Sequence, residues 1–224
     1  MKPKRLPLSG SEPKFKYNPW LKKGVRSNNC YAYAVGDYKT YRLQKSTPGN
    51  RSGLSNMYHP YTHCKGLAKR VISDNPGKVY KCKASGKCKP GFYKIMMVVA
   101  PNGGDFHFYK QHANVEYRVK EGDTQKSISE FFKIPVYRIR QAGPLKVGRL
   151  IKFKANLFSH KRGWATGPLF KDACGKVITD PRKACRKYSG LNYSKFCSAF
   201  CVKNRGINVG KTNSHIIEKL PKRV

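Results

Sequence analysis

The sequence predicts an α+β domain built on an antiparallel sheet, and three stretches predict it. Residues 92–111, FYKIMMVVAPNGGDFHFYKQ, are the most apolar passage of a lysine-rich chain. Within them Tyr93, Ile95, Met96, Met97, Val98 and Val99 form a near-continuous apolar run of strand length, as expected of a strand buried on both faces. Pro101-Asn102-Gly103-Gly104 supplies residues that tolerate positive φ, and Phe106, Phe108 and Tyr109 open the return strand of a hairpin. The second stretch is Ser27-Asn28-Asn29-Cys30-Tyr31-Ala32-Tyr33-Ala34-Val35-Gly36, where cap-competent residues precede a short helix that Gly36 ends. The third is the apolar strand Ala199-Phe200-Cys201-Val202 near the end of the chain.

Composition sets the outer bounds. A chain of 224 residues with 39% hydrophobic content can hold one sizeable domain, or one domain plus a small module. The balance of 47 Lys+Arg against 11 Asp+Glu gives a net charge of +36, which calls for an anionic partner: nucleic acid, an anionic membrane face or acidic protein neighbours in an assembly. No run approaches the ~20 apolar residues of a membrane span, and MKPKRLPLSGSEPKFKYNPW lacks the apolar stretch of a secretory signal. The expectation is a protein neither membrane-spanning nor secreted by the usual route. The eight cysteines leave redox state open. By spacing, Cys82 with Cys88, Cys174 with Cys185 and Cys197 with Cys201 could bridge or stay as buried thiols. His59, His63, Cys64, Cys82 and Cys88 carry metal-ligating atoms, but at a spacing that matches no standard finger. The reading requires neither metal nor cofactor.

Taken in order, the chain divides into five parts. Residues 1–26 carry Pro3, Pro7, Pro13 and Pro19 among Lys and Arg, a pattern that prevents helix and predicts a basic extended arm. Residues 203–224 read as a similar tail, and both would flop unless a partner pinned them. Residues 27–114 form the first part of the core, loop-rich up to Gly91 apart from a helix around Cys64–Asp74. Residues 115–155 change character: a strand from Glu116 turns at Gly122-Asp123, and Thr124 caps a helix with Ile128 and Phe131-Phe132 on its apolar side. Ile134-Pro135 then opens a second short helix, and Leu145 to Phe153 closes as a returning strand. Residues 156–202 complete the core.

The pattern Tyr117-x-Val119-x-x-Gly122-Asp123-Thr124, followed by Ile128, Phe132, Ile139, Leu145, Gly148 and Ile151, resembles a LysM module over its whole length. Ala142 and Lys154 depart from the Asn and Pro usual in that family. The resemblance implies a βααβ fold and binding of an N-acetylglucosamine-containing glycan such as peptidoglycan or chitin, with Gly122, Asp123 and Thr124 as the glycan-binding positions. The module reads as an insertion, because its first and last strands would pair antiparallel and bring its ends together. Without it, the strand bearing His107 and the segment bearing His160 become neighbours.

With the insertion lifted out, the order Cys30, His107, His160 resembles the papain-like cysteine peptidases and amidases of the NlpC type. The pieces Asn29-Cys30-Tyr31-Ala32-Tyr33-Ala34, Asp105-Phe106-His107-Phe108-Tyr109, His160-Lys161-x-Gly163, Asp180-Pro181 and Asn192-Tyr193 are similar to a branch of that family from bacteria and large DNA viruses. The resemblance implies a papain-like core of antiparallel sheet and a Cys-His-His triad. Chemistry gives the order a reason. A thiol at a helix start facing an imidazole is expected to ionise to a thiolate–imidazolium pair. His107 would shuttle the proton, His160 or another polar group on its strand would orient the ring, and the Cys30 amide would receive the oxyanion.

Two functional expectations follow. The first is a virion-associated cysteine hydrolase of a large DNA virus, aimed by the module and by positive charge. The second is a non-catalytic virion component, a minor capsid or cement protein whose basic arms bind neighbouring shell proteins. Non-specific binding of nucleic acid or an anionic membrane rests on charge alone.

Overall fold

The computed structural model describes residues 5–16, 20, 24–42, 44–54, 63–101 and 104–210. Among them lie α1 (Cys30–Val35), α2 (Cys64–Ser73), β1 (Val79–Cys82), β2 (Phe92–Ala100), β3 (Asp105–Arg118), α3 (Gln125–Phe132), α4 (Val136–Arg140), β4 (Leu150–Lys161), β5 (Pro168–Leu169), β6 (Lys187–Tyr188), β7 (Leu191–Asn192) and β8 (Lys195–Lys203). The chain is α+β. One six-stranded sheet has the order β1-β8-β2-β3-β4-β5, and β6 and β7 form a separate small ladder. Most of residues 203–224, His59 and the turn residues Asn102 and Gly103 lie outside the described residues.

The apolar run that marks β2 has a topological cause. This strand pairs with β3 on one side, Met97 opposite Phe108, and with β8 on the other, Ile95 opposite Phe200. Both faces are covered as well, so every residue of β2 is buried. On one face Ile95, Met97 and Val99 pack with Tyr31 of α1, Leu67 and Val71 of α2, Phe108 and Phe200. On the other, Met96 and Val98 meet Tyr109, Phe158, Ile178 and Tyr193. Period-two alternation therefore sends Phe106 and Phe108 to the helical face and His107 and Tyr109 to the opposite one.

β3 and β4 are longer than the sheet they belong to. Their ladder shifts register between His112 and Asn114, and Asn156 across from this irregularity takes a φ of 45°. Beyond it the two strands keep pairing, Val115 with Phe153 and Tyr117 with Ile151, but they serve a different core. There Ile128, Phe132 and Ile139 of α3 and α4 pack on Val115, Tyr117, Ile151 and Phe153. The strand–helix–helix–strand unit has the helix start expected from the sequence. Thr124 Oγ1 accepts from the Ser127 amide at 3.0 Å while Ser127 Oγ accepts from the Thr124 amide at 2.9 Å, a reciprocal capping box.

The described part of the N-terminal arm is extended, and the chain itself holds it. Phe15 is fully buried in the core of the strand–helix–helix–strand unit, and its backbone bridges to Val115. Leu6 is buried against the lower sheet face. The Arg5 guanidinium donates to the carbonyls of Phe132 at 2.7 Å and Lys133 at 2.9 Å, occupying orphan acceptors at the end of α3. The expectation of an arm that needs an outside partner is corrected for residues 5–16. Two buried apolar side chains and a helix-end cap supply what the proline pattern could not reveal.

Bridging also departs from the sequence spacing. Cys174 pairs with Cys185, but Cys64 pairs with Cys197 and Cys88 with Cys201. The last two tie α2 and the loop after β1 to the interior strand β8, contacts that linear spacing cannot encode. Cys30 and Cys82 are free thiols. Because Phe15 fills the second core, Phe15→Ala is expected to cost roughly 3–5 kcal/mol, read as a lower midpoint in urea. A midpoint unchanged from wild type would contradict the intramolecular docking of the arm.

Candidate active site

Asn29 builds the start of α1. Its Oδ1 accepts from the Ala32 amide at 3.1 Å, and its Nδ2 donates to the Ser46 carbonyl at 2.6 Å, so one side chain caps the helix and anchors the following loop. Gly36 closes the helix with a φ of 80°. Cys30 is thereby the first helical residue, and its sulfur lies against the edge of β3, where the thiol donates to the Phe106 carbonyl at 3.8 Å. That edge is bare because the β3–β4 ladder stops at Tyr109 opposite His160. Residues 105–108 run past it.

The same rung sets the histidine pair. His160 faces Tyr109, and His107 stands two residues along β3 on the same face, so the rings meet diagonally. His107 Nε2 lies 2.8 Å from His160 Nδ1, and His160 Nε2 lies 2.9 Å from the Lys171 carbonyl. Proton positions follow. A carbonyl only accepts, so His160 Nε2 carries the hydrogen. Burial pushes the His160 imidazole down to about 4, which leaves it neutral with Nδ1 as an acceptor. His107 Nε2 must then donate, and the lone pair of a neutral His107 sits on Nδ1. Burial, then His160, then Arg162 hold His107 well below the usual imidazole range, consistent with that neutral form.

Cys30 and His107 line one cavity of about 220 Å³, together with Asn29, Lys45, Thr47, Asp105 and Tyr193. His160 sits behind the cavity and is fully buried. Tyr109 and Tyr193 enclose the His107 ring, with centroids 5.2 and 5.1 Å away. Tyr193 also donates to Asp105 Oδ2 at 2.7 Å. The structure thus gathers all three residues of the Cys-His-His constellation, in the pairs Cys30 with His107 and His107 with His160.

The resting protonation differs from the thiolate–imidazolium expectation. Burial, reinforced by the Asp105 carboxylate, pushes the Cys30 thiol up to about 12, although the amides of Phe108 and Tyr31 and the Lys161 ammonium pull it down. Thiol and imidazole are both neutral, because a dry site penalises either charge more than the helix start and one lysine repay. No hydrogen bond joins them, since the thiol donates to the Phe106 carbonyl instead.

Gly122, Asp123 and Thr124 lie elsewhere, at the turn between β3 and α3. Gly122 has a φ of 75°, Asp123 Oδ2 accepts from the Tyr117 hydroxyl at 2.9 Å and the Lys120 amide at 2.7 Å, and Thr124 is the helix cap. Their polar atoms hold the turn. Beside them runs a groove of about 730 Å³ whose lining includes Tyr117, Asp123, Ile128, Phe131, Leu150 and Phe170. Of the zinc candidates, Cys64 and Cys88 are consumed by disulfides.

Sequence reading missed three contributors. Lys161 is fully buried and donates to the carbonyls of Val25 at 2.6 Å and Gly163 at 2.7 Å, tying a residue that lines the cavity to the segment before α1. Asp105 faces the thiol, and the Lys171 carbonyl fixes the tautomers. A buried lysine beside His160 looks like any other lysine in a chain with 47 basic residues, and a carbonyl leaves no mark in sequence. No family model matches the chain, and neither the curated proteins nor the solved structures contain a match.

Three buried histidines make stability depend on pH. His107, His160 and His112 are all held neutral, His112 down to about 3 by burial first and then by Lys110. Their folded values lie below the ordinary value of about 6.5, so below that pH the unfolded chain binds protons that the native chain refuses. The histidines' contribution to stability is complete above about pH 6.5 and is lost as pH drops toward about 4 and below. The thermal midpoint should decline steadily from pH 7 to pH 4.5; a flat profile would contradict the neutral, buried pair.

Proposed function

We propose that this protein is a thiol hydrolase of the NlpC type that cleaves an amide or related acyl bond and is carried in the virion of a large DNA virus. The observation that carries this reading is the chain from the Lys171 carbonyl through His160 to His107. It leaves the basic nitrogen of His107, Nδ1, on a ring that lines the same cavity as a free cysteine thiol. An ordered pair of imidazoles is more than a buried histidine needs for satisfaction, and it fixes the tautomer that a general base requires.

The reaction starts from neutral partners. When a carbonyl substrate enters, Cys30 gives up its contact with Phe106, Sγ attacks the carbonyl carbon, and its proton passes to His107 Nδ1 in the same step. Concerted transfer avoids a free thiolate, which burial and Asp105 disfavour. The tetrahedral oxyanion is received by the Cys30 amide at the helix start. His107 then returns the proton to the leaving amine, and the acyl-enzyme thioester forms. Water attacks the thioester with His107 again as base, releasing the acid and restoring the thiol. His160 keeps the ring oriented and shares the positive charge of the transient imidazolium.

The strand–helix–helix–strand unit, which resembles LysM, would deliver the hydrolase to a glycan surface such as peptidoglycan. Its groove beside Asp123 combines aromatic and aliphatic side chains with charged and polar ones, the mixture that sugar rings favour. The net charge of +36 adds attraction to anionic surfaces. Cys30→Ala is expected to abolish release of free amine from peptidoglycan peptides, and His160→Gln to lower kcat while shifting the pH profile. Site-resolved alkylation separates chemistry from folding. Cys30 labelling at neutral pH should fall strongly in His107→Ala, whereas equal labelling in both proteins would sink the proposal.

A second reading has its own observation. Cys30 is only 5% exposed and donates to a backbone carbonyl, the state of an inert structural thiol. On that reading the protein is a non-catalytic minor capsid component, Cys30→Ala is silent, and truncation of residues 203–224 abolishes binding to neighbouring shell proteins.

A further inference from the structure

Far from the histidines, three sulfurs converge on one face of the sheet. Cys82 at the end of β1, Cys88 in the following loop and Cys201 on β8 have sulfur atoms that all lie within 4.8 Å of one another. Cys88 and Cys201 are bridged, and Cys82 is a free, half-buried thiol beside them. We propose that these residues form a thiol–disulfide exchange site in which Cys82 attacks the Cys88–Cys201 bridge and Lys94 stabilises the entering and leaving thiolates.

Register decides which sulfur is attacked. Cys82 stands opposite Ala199, so Cys201 is its diagonal neighbour two residues along β8. Diagonal positions on adjacent strands are about 7–8 Å apart, outside the Cα span that a disulfide tolerates. Cys88 sits on a loop and carries no such restriction. The Cys82 thiolate therefore attacks Cys88 Sγ in line with the existing bond. A Cys82–Cys88 bond forms, the Cys88–Cys201 bond breaks, and the electron pair departs on Cys201 Sγ, which takes up the proton that Cys82 released. One disulfide and one thiol stand on each side, so no external oxidant or reductant enters.

Lys94 is placed for both ends of this step. On β2 it stands directly opposite Cys201, and its charge also acts on the Cys82 sulfur. Although 1% exposed, it makes no ion pair with a described carboxylate; its ammonium donates instead to the carbonyls of Ala84, at 2.9 Å, and Gly86. Those carbonyls belong to the loop that carries Cys88. The same lysine thus holds the electrophile's loop and offers a positive charge to two sulfurs, a use of a buried cation that packing alone does not require. Because Cys82 is the only one of the three open to solvent, an outside thiol or disulfide reaches the buried bridge through it.

Disulfide mapping tests this. Protein purified without reductant is held at neutral pH, quenched and alkylated in acid, and its pairs are identified by mass spectrometry. Wild type should yield two forms, Cys88–Cys201 with alkylated Cys82 and Cys82–Cys88 with alkylated Cys201. Cys82→Ala should leave the first alone, and Cys201→Ser given glutathione disulfide should close Cys82–Cys88. Where Cys201→Ser fails to fold, Lys94→Met serves. A one-unit rise in the attacking thiol's pKa removes about tenfold of thiolate and returns about threefold in nucleophilicity, and a poorer leaving thiolate slows the step further, so exchange should slow at least about threefold. A wild type in which Cys201 is never alkylated, or exchange unaffected by Lys94→Met, overturns the proposal. So does scrambling that recruits Cys64, Cys174, Cys185 or Cys197, which would mark global unfolding.

Discussion

The antiparallel ladder between β3 and β4 is the constraint on which the rest of the molecule depends. Its inner rungs bring His160 alongside Tyr109 and, diagonally, His107; its last rung leaves the β3 edge bare for the Cys30 thiol. Its outer rungs, past the irregularity at His112, support a second small core. One pair of strands therefore positions the cysteine–histidine constellation and carries an appended unit. A slip of β4 by a single residue would turn His160 to the other face, away from His107, and dissolve the pair.

Charge burial is the second theme. A chain with 47 basic and 11 acidic residues cannot pair every buried lysine with a carboxylate, and backbone carbonyls take their place. Lys94 uses the loop after β1, Lys110 the Tyr33 carbonyl at 3.2 Å, and Lys161 the carbonyls of Val25 and Gly163. Burial lowers Lys110 to about 7 and Lys161 to about 8, so both lose charge at a pH that surface lysines ignore. Two of the three stand beside cysteine sulfur. The same desolvation keeps Cys30 and His107 neutral.

Much of the local structure was legible in the sequence, and the physical reasons are local too. An Asn before a short helix and a Gly after it, the Thr124 cap, the apolar run of β2 and the turn glycines each act over a few residues, so spacing alone located α1, α3 and the central hairpin. The closeness of His107 to His160 was legible once the strands around residues 115–155 were read as a closed pair, because such strands return the chain to its starting point. The tertiary structure decided what depends on distant segments. Cys64 and Cys88 bridge to β8 across 133 and 113 residues, Arg5 and Phe15 dock on a unit far along the chain, and the Lys171 carbonyl sets two tautomers. It also decided the state of Cys30, since residue type and helix position favour a thiolate, whereas burial, a property of the whole fold, returns the proton to the sulfur.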